Sequence, residues 1–216
     1  MSTPVSPARP EGTAAQLIAA ALKLFGAKGF AATSTREIAA AAGTNIASIA
    51  YHFGNKDGLH RACAQEVMRR MAAAAGPGLP EDDLSPECAV AAMEGLIRAM
   101  AEFLLTRREA EDVVPFMLRE MTENGPVLQD LYDSMIAPTH ARLCRLWSVA
   151  TGQPPDTDST RLRVFSLVGP LLYFRIGRPI VARRMGWPSP GADAARQIAE
   201  ILIGNLHAIL AQERRT

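Results

Sequence analysis

Two short helical segments joined by a glycine turn constrain the fold of this chain more than any other feature. The first segment opens with the letters STRE at 34–37, which have the form of a capping box. The Ser34 hydroxyl accepts from the amide of Glu37, and the Glu37 carboxylate accepts from the amide of Ser34. The pattern predicts a helix over 35–42. Gly43 then permits a tight turn, because glycine reaches backbone conformations that other residues avoid.

A second short helix follows after only two residues, Thr44 and Asn45, either of which is a good N-cap. It is predicted over 46–53, where Ile49 and Phe53 share one face because they are four residues apart. A helix, a glycine turn and a short second helix make a helix-turn-helix. In that motif the first helix braces the second one in the major groove of duplex DNA. The two segments together therefore predict DNA binding.

The side of the second helix opposite Ile49 and Phe53 supplies the candidate contacts to DNA. Small side chains tolerate a thymine methyl group, and hydroxyl and imidazole groups can hydrogen-bond to bases or phosphates. Phosphate contacts are expected beside it, where helix starts offer free amides and a positive dipole end. Each residue could instead serve only as a cap, a packing residue or an exposed helix residue, and Asn45 is primarily a cap. The predicted DNA-binding residues are Thr33, Thr35, Asn45, Ala47, Ser48, Tyr51, His52 and Lys56.

Charge and turn-forming residues indicate how the chain is divided. Between Arg9 and Arg70 there are eight basic and four acidic residues, whereas the remainder has 15 basic and 18 acidic residues. This imbalance suits a protein with one nucleic-acid face. The segment 76–86 holds three prolines and two glycines and is the clearest linker. We expect a disordered arm over 1–11, a helix-turn-helix domain over 12–58 and a larger second domain over 59–216.

The rest of the chain also has helical patterning, so the predicted fold class is all-α. Alanine is abundant and aromatic residues make up only 6%, which favours helix over sheet. Apolar residues recur at helical spacing, and no alternating strand pattern occurs. Pro115 is expected in the first turn of its helix, and Pro138 is expected to break or kink the helix that contains it. The further predicted helices cover 12–28, 56–75, 86–106, 112–123, 126–151, 159–185 and 191–213.

The stretch LIAAALKLFGAKGFAATSTREIAAAAGTNIASIAYHFGNKDGL, at 17–59, resembles the TetR family of repressors. Its first helix ends in LF..KGF, followed by T..REIA..AG, a short helix ending in aromatic-His-Phe, and KDGL. Most members begin the recognition helix with KGTLY, whereas this chain has Ile46 and Ala50 at the lysine and first aromatic positions. The letters NIASIAYHFGNKDGL, with FMLREM and LLYFRIGRPIVARRMGW further along, resemble the subgroup with a CerR-type C-terminal domain. The resemblance implies a transcriptional regulator whose DNA-binding domain is joined by a long helix to a helical C-terminal domain.

The second domain is expected to pair two copies and to bind a small molecule. A short recognition helix reads few base pairs, so useful specificity generally requires two copies on a palindrome. The resemblance implies that the last two helices form a four-helix bundle with those of a second copy, the alternative being burial within a monomer. The remaining helices would enclose a pocket for an unknown effector, whose binding releases the DNA. The predicted ligand-binding residues are Met100, Phe103, Phe116, Met117, Arg119, Met121, Tyr173 and Arg175.

Buried charges normally need partners, so the charged members of that set could instead pair internally, for example Arg175 with Glu120. Enzymes are not indicated: there is no nucleophile elbow, GxGxxG, phosphate-binding loop or HExxH, and the histidines and three cysteines are scattered. We expect no cofactor or metal. With no signal peptide and no apolar run of about 18 residues, we expect a cytoplasmic protein that does not enter a membrane.

An alternative function is a helix-turn-helix protein without a small-molecule inducer, either architectural or controlled by a protein partner. A closed, fully packed second domain would favour that alternative, whereas an open pocket would favour a ligand sensor. The choice between repressor and activator depends on where the operator lies relative to the promoter, which the sequence leaves open.

Overall fold

The computed structural model describes residues 11–76, 84–188 and 191–213. These residues form helices, turns and loops without a strand, which confirms the all-α fold class. The expected arm lies almost wholly outside the described residues, as does most of the expected linker. Every regular element among the described residues is a helix, and the helices differ in which face each one buries.

Between residues 11 and 76, the N-terminal stretch that the structure describes, there are four helices. They are α1 (Gly12–Ala32), α2 (Thr35–Ala41), α3 (Ala47–Phe53) and α4 (Lys56–Ala75). Gly29 interrupts α1 with φ 81° and ψ 168°, which agrees with the expected end of the first helix at this residue. The bounds of α2 and α3 are within one residue of those predicted, because the caps and glycines that set them are local signals.

The described residues 84–188 and 191–213 form seven further helices, which are α5 (Pro86–Thr106), α6 (Glu109–Glu123), α7 (Leu128–Leu131), α8 (Ala137–Thr151), α9 (Asp158–Ile176), α10 (Arg178–Met185) and α11 (Ala192–Glu213). A π-helical turn at Tyr132–Ile136 joins α7 to α8, so the expected break near Pro138 is present. Because α6 begins at Glu109, Pro115 lies inside that helix, and the expectation that it occupies the first turn was wrong.

Residue contacts divide the chain into two compact units. The first unit comprises Met1–Ala72 and Glu111–Ser134, and the second comprises Ala73–Ala110 and Met135–Thr216. This division differs from the expected boundary at residue 58, because α4 and α6 contribute their buried faces to the first unit. Leu59, Cys63 and Val67 of α4 are fully buried there.

Each unit has its own apolar core. In the first unit α1 packs against α2 and α3, and Leu17, Leu22 and Phe25 are buried. In the second unit α5 is central and packs against α8, α9 and α11, with Trp147 and Leu206 fully buried.

Among the described residues, α1 is long and apolar enough to cross a membrane by length and composition. The pair α9 and α10 passes that test only if its 77° bend is counted within one span. The apolar side chains of α1 belong to the core of the first unit, which is the usual arrangement in the core helix of a globular domain.

Candidate nucleic-acid interface

The start of α2 is fixed by the predicted capping box. The Glu37 amide donates to the Ser34 hydroxyl at 3.2 Å, and the Ser34 amide donates to the Glu37 carboxylate at 3.0 Å. Lys28 also donates to this carboxylate, at 2.7 Å. The hydrogen bonds from Lys28 and from Ser34 lower the pKa of Glu37 to about 2. The bracing helix therefore keeps an ionised cap across the physiological pH range.

The turn between α2 and α3 is set by one glycine and one asparagine. Gly43 has φ 64°, and the amide of Thr44 donates to the Ala39 carbonyl at 3.0 Å. The Asn45 side-chain oxygen accepts from the amide of Ala47 at 3.0 Å, so Asn45 is the residue of the two candidates that caps α3. The hydroxyl groups of Thr44 and Ser48 lie 3.0 Å apart and hydrogen-bond to each other.

The outward face of α3 carries four of the eight residues that were predicted to bind DNA. Ile49 is buried against the unit and Phe53 is half-buried, whereas Ala47 and His52 are exposed and Ser48 is half-buried. Tyr51 is 85% exposed, and its ring meets that of His52 edge-on at 4.9 Å. An aromatic side chain so open to solvent has no packing role in the unit, so it is free to contact another molecule.

Thr33 does not fit its predicted contact with phosphate. It is 1% exposed, and its hydroxyl donates to the carbonyl of Gly29 at 2.8 Å and to that of Leu24 at 3.2 Å. Its side chain thus satisfies carbonyl groups left free at the break in α1, and it is not available to DNA. Thr35, in the first turn of α2, is half-exposed and remains a candidate.

The junction between α3 and α4 contains two residues that the sequence analysis missed. The Asn55 side chain accepts from the amide of Gly58 at 2.8 Å and so caps α4. A Cβ atom at Gly58 would lie 1.9 Å from the Phe53 carbonyl oxygen, so only glycine fits this close approach. Lys56 lies between them, with its amino group 4.3 Å from the centre of the Phe30 ring. The spacing N-x-x-G after the recognition helix is the signal that could have revealed this junction.

A buried contact between a histidine and a carboxylate joins α4 to α6 within the first unit. His60 Nε2 lies 3.0 Å from Glu120 Oε1, and both side chains are at most 2% exposed. The His60 ring is surrounded by three phenylalanine rings, Phe25, Phe30 and Phe116, with centroids 4.6 to 5.2 Å away. Glu120 also accepts from the amide of Val127 at 3.1 Å. The suggested pairing of Glu120 with Arg175 is therefore wrong.

Two comparisons of the sequence bear on this geometry. Residues 17–63 match the family model for bacterial regulatory proteins of the tetR family, and residues 89–212 match that for the C-terminal domain of the HTH-type transcriptional dual regulator CecR. CecR of Shigella flexneri is 33% identical over 216 residues, covering 97% of this chain and 96% of that protein. The chain belongs to the TetR family. Its C-terminal domain is of the CecR type, which the expectation above named CerR.

Three further proteins are similar to this chain at lower identity. The regulatory protein RaaS of Mycobacterium tuberculosis is 27% identical over 168 residues, which is 75% of this chain and 71% of that protein. A TetR-like regulator from Rhodococcus sp. RHA1 shares the fold with a TM-score of 0.64 and 21% identity, over 94% of this chain and 99% of that one. AibR, solved with isovaleryl coenzyme A and operator DNA, gives a TM-score of 0.63 at 22% identity, over 89% of this chain and 97% of that one. These relatives are transcriptional regulators and not enzymes, as expected for this chain.

The predicted ligand-binding residues are divided between the two units of this TetR-family protein. Phe116 is fully buried in the core of the first unit, and Arg119 pairs with Glu123 and donates to the Ala27 carbonyl at 2.8 Å. These contacts within the protein remove Phe116 and Arg119 from the candidate pocket. Met117, half-buried, and Met121, 52% exposed, are also in the first unit.

The other four predicted ligand residues lie in the second unit. Phe103 is buried, Met100 is half-buried, and Tyr173 is 57% exposed. Arg175 donates to the Ala110 carbonyl at 3.4 Å. The second unit also contains a narrow apolar cleft between α5, α9, α10 and α11, lined by Leu105, Phe174, Arg178, Val181, Trp187, Ala194 and Ile198. Of these lining residues none was predicted, because the cleft depends on the bend between α9 and α10.

The last helices of the second unit leave large apolar side chains in solvent. Leu162 of α9 is 67% exposed, and Ile201 of α11 is 59% exposed. The opposite sides of the same helices are buried, as Val164, Leu202 and Leu206 show. Helices that are apolar on two sides are expected to have a second packing partner. We refer to Leu162, Phe165, Tyr173 and Ile201 below as the exposed apolar face.

Proposed function

We propose that this TetR-family regulator is a repressor that binds a palindromic operator as a homodimer and is released by a small molecule bound in its C-terminal domain. The observation that carries the proposal is the outward face of α3. It holds Tyr51 and His52 in solvent on a short helix whose other face is fixed by Ile49. Such a helix can enter the major groove without losing a packing contact.

In the proposed complex α3 reads bases and the neighbouring helix starts bind phosphates. Ala47, Ser48, Tyr51 and His52 would meet base edges or nearby phosphates, with Asn45 as the cap that keeps the start of α3 in place. Thr35 at the start of α2 and Lys56 at the start of α4 would contact the backbone, where charge and helix dipole act together.

Homodimerisation would proceed through the exposed apolar face. Four large apolar side chains on α9 and α11 are between 55% and 67% exposed, and a second copy of the same face would remove them from water. An isologous contact of this kind gives the dimer a two-fold axis, which a palindromic operator matches.

Release would follow from a ligand that binds one arrangement of the dimer more tightly than the other. The structural relative AibR was solved with both a small molecule and operator DNA, and it is a precedent for a protein of this fold that binds both. For this chain, Met100, Phe103, Tyr173 and Arg175 remain the predicted ligand residues of the second unit, with Met117 and Met121 in the first. A shift of α4, which starts beside α3, would change the spacing of the two recognition helices. The same proposal places the protein in the cytoplasm, where the DNA is.

The first test is selection of bound duplexes from a random DNA pool. We expect a palindrome with half-sites about one helical turn apart. Lys56→Ala should then weaken binding to all sequences alike. The slope of log affinity against log salt concentration should become less steep by about one, because one phosphate contact is lost. Lys23→Ala, which removes an exposed lysine of α1 with no proposed contact, serves as the matched control. A selected sequence without two-fold symmetry would contradict the proposal.

The second test is a small-molecule screen by fluorescence anisotropy on the selected operator. A compound that binds the protein and lowers operator affinity supports a ligand-released repressor. Compounds that bind without changing operator affinity, at saturating concentration, would contradict release and favour a regulator controlled by a protein partner.

A further inference from the structure

The exposed surface of α3 has an apolar half and a polar half. At 100° per residue, Ile46, Ala47, Ala50 and Tyr51 span one side of the helix, and Ser48 with His52 lie on the other. Ile46 is 47% exposed, and its φ of −56° and ψ of −31° extend the helical backbone by one residue. An isoleucine at this position therefore stands in solvent at the leading end of the helix.

The polar groups near the same end are already engaged. The Asn45 side-chain oxygen accepts from the Ala47 amide, and the Ser48 hydroxyl is hydrogen-bonded to that of Thr44. The leading end of α3 therefore presents Ile46, Ala47 and Ala50 to an approaching surface. Residues near the start of a recognition helix are the ones that meet base edges.

The residue types of α3 limit which bases it can distinguish. Between Ala47 and Phe53 there is no arginine or lysine to pair with guanine and no asparagine or glutamine to pair with adenine. Thymine is the only base that presents an apolar group, its C5 methyl, in the major groove. An apolar leading end discriminates in favour of that methyl group.

We propose that Ile46, with Ala47 and Ala50, reads thymine methyl groups, so that each operator half-site requires thymine where it faces the leading end of α3. This inference rests on the proposed function and names the base that the same surface recognises. Ile46 acts as a specificity-determining residue, and its side chain is the largest of the three.

Deoxyuridine substitution tests this directly, because it removes the methyl group and leaves base pairing unchanged. In the selected operator, each thymine is replaced by deoxyuridine at symmetric positions, and binding of the full-length protein is measured by fluorescence anisotropy. We expect affinity to fall about fourfold for each buried methyl group at one or two positions per half-site. Other thymines should show no effect.

Ile46→Ala assigns the methyl group to its reader. This variant should bind the thymine operator more weakly than wild type and should lose the preference for thymine over deoxyuridine at one position of each half-site. Ile180→Ala, which truncates a 68% exposed isoleucine of α10, should keep the full preference. Circular dichroism confirms that both variants are folded.

The outcomes separate this inference from the proposed function. A sequence-specific operator that binds equally well with thymine or deoxyuridine throughout overturns methyl reading and leaves DNA-binding regulation intact. An Ile46→Ala variant with an undiminished thymine preference overturns the role of Ile46. Absence of any sequence-specific duplex would overturn the proposed function and methyl reading together.

Discussion

The two units use polar and apolar side chains in opposite ways. In the first unit, Thr33, His60, Glu66 and Glu120 are buried. Thr33, Glu66 and Glu120 form hydrogen bonds, as the Glu66 contacts to Arg69 and Arg70 at 2.7 Å illustrate, and His60 contacts the Glu120 carboxylate. Among the described residues of the second unit, one polar side chain, that of Thr160, is buried. Large apolar side chains of α9 to α11 are exposed to solvent.

The difference matches the roles proposed for the two units. Buried polar contacts need defined geometry, so they hold the helices of the first unit in one arrangement, which suits a surface that must fit a DNA groove. Exposed apolar side chains need only shape and area, so they suit association with a second copy. The two units therefore differ in the kind of substitution that should damage them most.

The largest expected effect is the loss of the buried carboxylate at Glu120. Glu120→Ala leaves His60 and the Val127 amide buried without this partner. Because each buried polar group left unsatisfied costs about 1–3 kcal/mol, we expect the free energy of unfolding to fall by about 3–5 kcal/mol. Urea unfolding at fixed protein concentration measures the change.

Glu123→Ala is the matched control on the same helix. Glu123 also pairs with an arginine, Arg119, but in a half-exposed position. An exposed pair of this kind contributes under about 1 kcal/mol. Equal losses for the two variants would show that the buried pair has no special role in the first unit.

A charge placed on the exposed apolar face should weaken association of two copies and leave the fold of each copy unchanged. Leu162→Arg would place a guanidinium in the proposed dimer contact, and we expect the dimer dissociation constant to rise at least about 100-fold, or roughly 2.7 kcal/mol. Sedimentation equilibrium measures it. Tyr132→Arg, at a 50% exposed aromatic of the first unit, should leave the dissociation constant unchanged. A dimer that tolerates Leu162→Arg would move the interface elsewhere.

Two helical glycines give opposite predictions in the two units. Gly58→Ala should destabilise the first unit by about 1–3 kcal/mol, because the new Cβ meets the Phe53 carbonyl and the α3–α4 junction must shift. Gly95→Ala in α5 has nothing within 4 Å of its added Cβ and should stabilise the chain by up to about 1 kcal/mol. Thermal unfolding compares them, and a neutral Gly58→Ala would contradict the close approach.

The smallest effect concerns the cap of α2. Because the pKa of Glu37 is about 2 in the folded chain and 4.5 ordinarily, its ionised form stabilises the fold. That contribution is fully present above pH 4.5 and is lost as the pH falls through 2. Glu37→Gln should therefore lower the melting temperature slightly at pH 7, and the difference from wild type should shrink as the pH drops toward 2. A difference independent of pH would contradict the ionised cap.

Local signals made most of the helix bounds and the main features of the proposed DNA-binding surface predictable. The capping box at Ser34, the cap at Asn45 and the glycine turn at Gly43 act within four residues, so the sequence contains all that they need. The outward orientation of Tyr51 follows from its offset from Ile49 and Phe53 in a short helix.

The errors have different physical causes. His60 and Glu120 are 60 positions apart, so the sequence near either residue does not indicate their contact. Thr33 has the residue type of a phosphate ligand, and only the break at Gly29 shows that its hydroxyl serves the end of α1. The predicted ligand residues were chosen because their side chains are adaptable in shape or charged. These properties do not reveal that α6 belongs to the first unit.

The central claim is that the outward face of α3 recognises specific DNA, and Tyr51 offers its most direct test. Fluorescence anisotropy of wild type and Tyr51→Ala is measured on the selected operator and on a scrambled duplex at the same salt concentration. We predict that Tyr51→Ala loses about 1–3 kcal/mol of binding free energy on the operator and almost none on the scrambled duplex. Equal losses on both duplexes, or none on either, would contradict base recognition by α3.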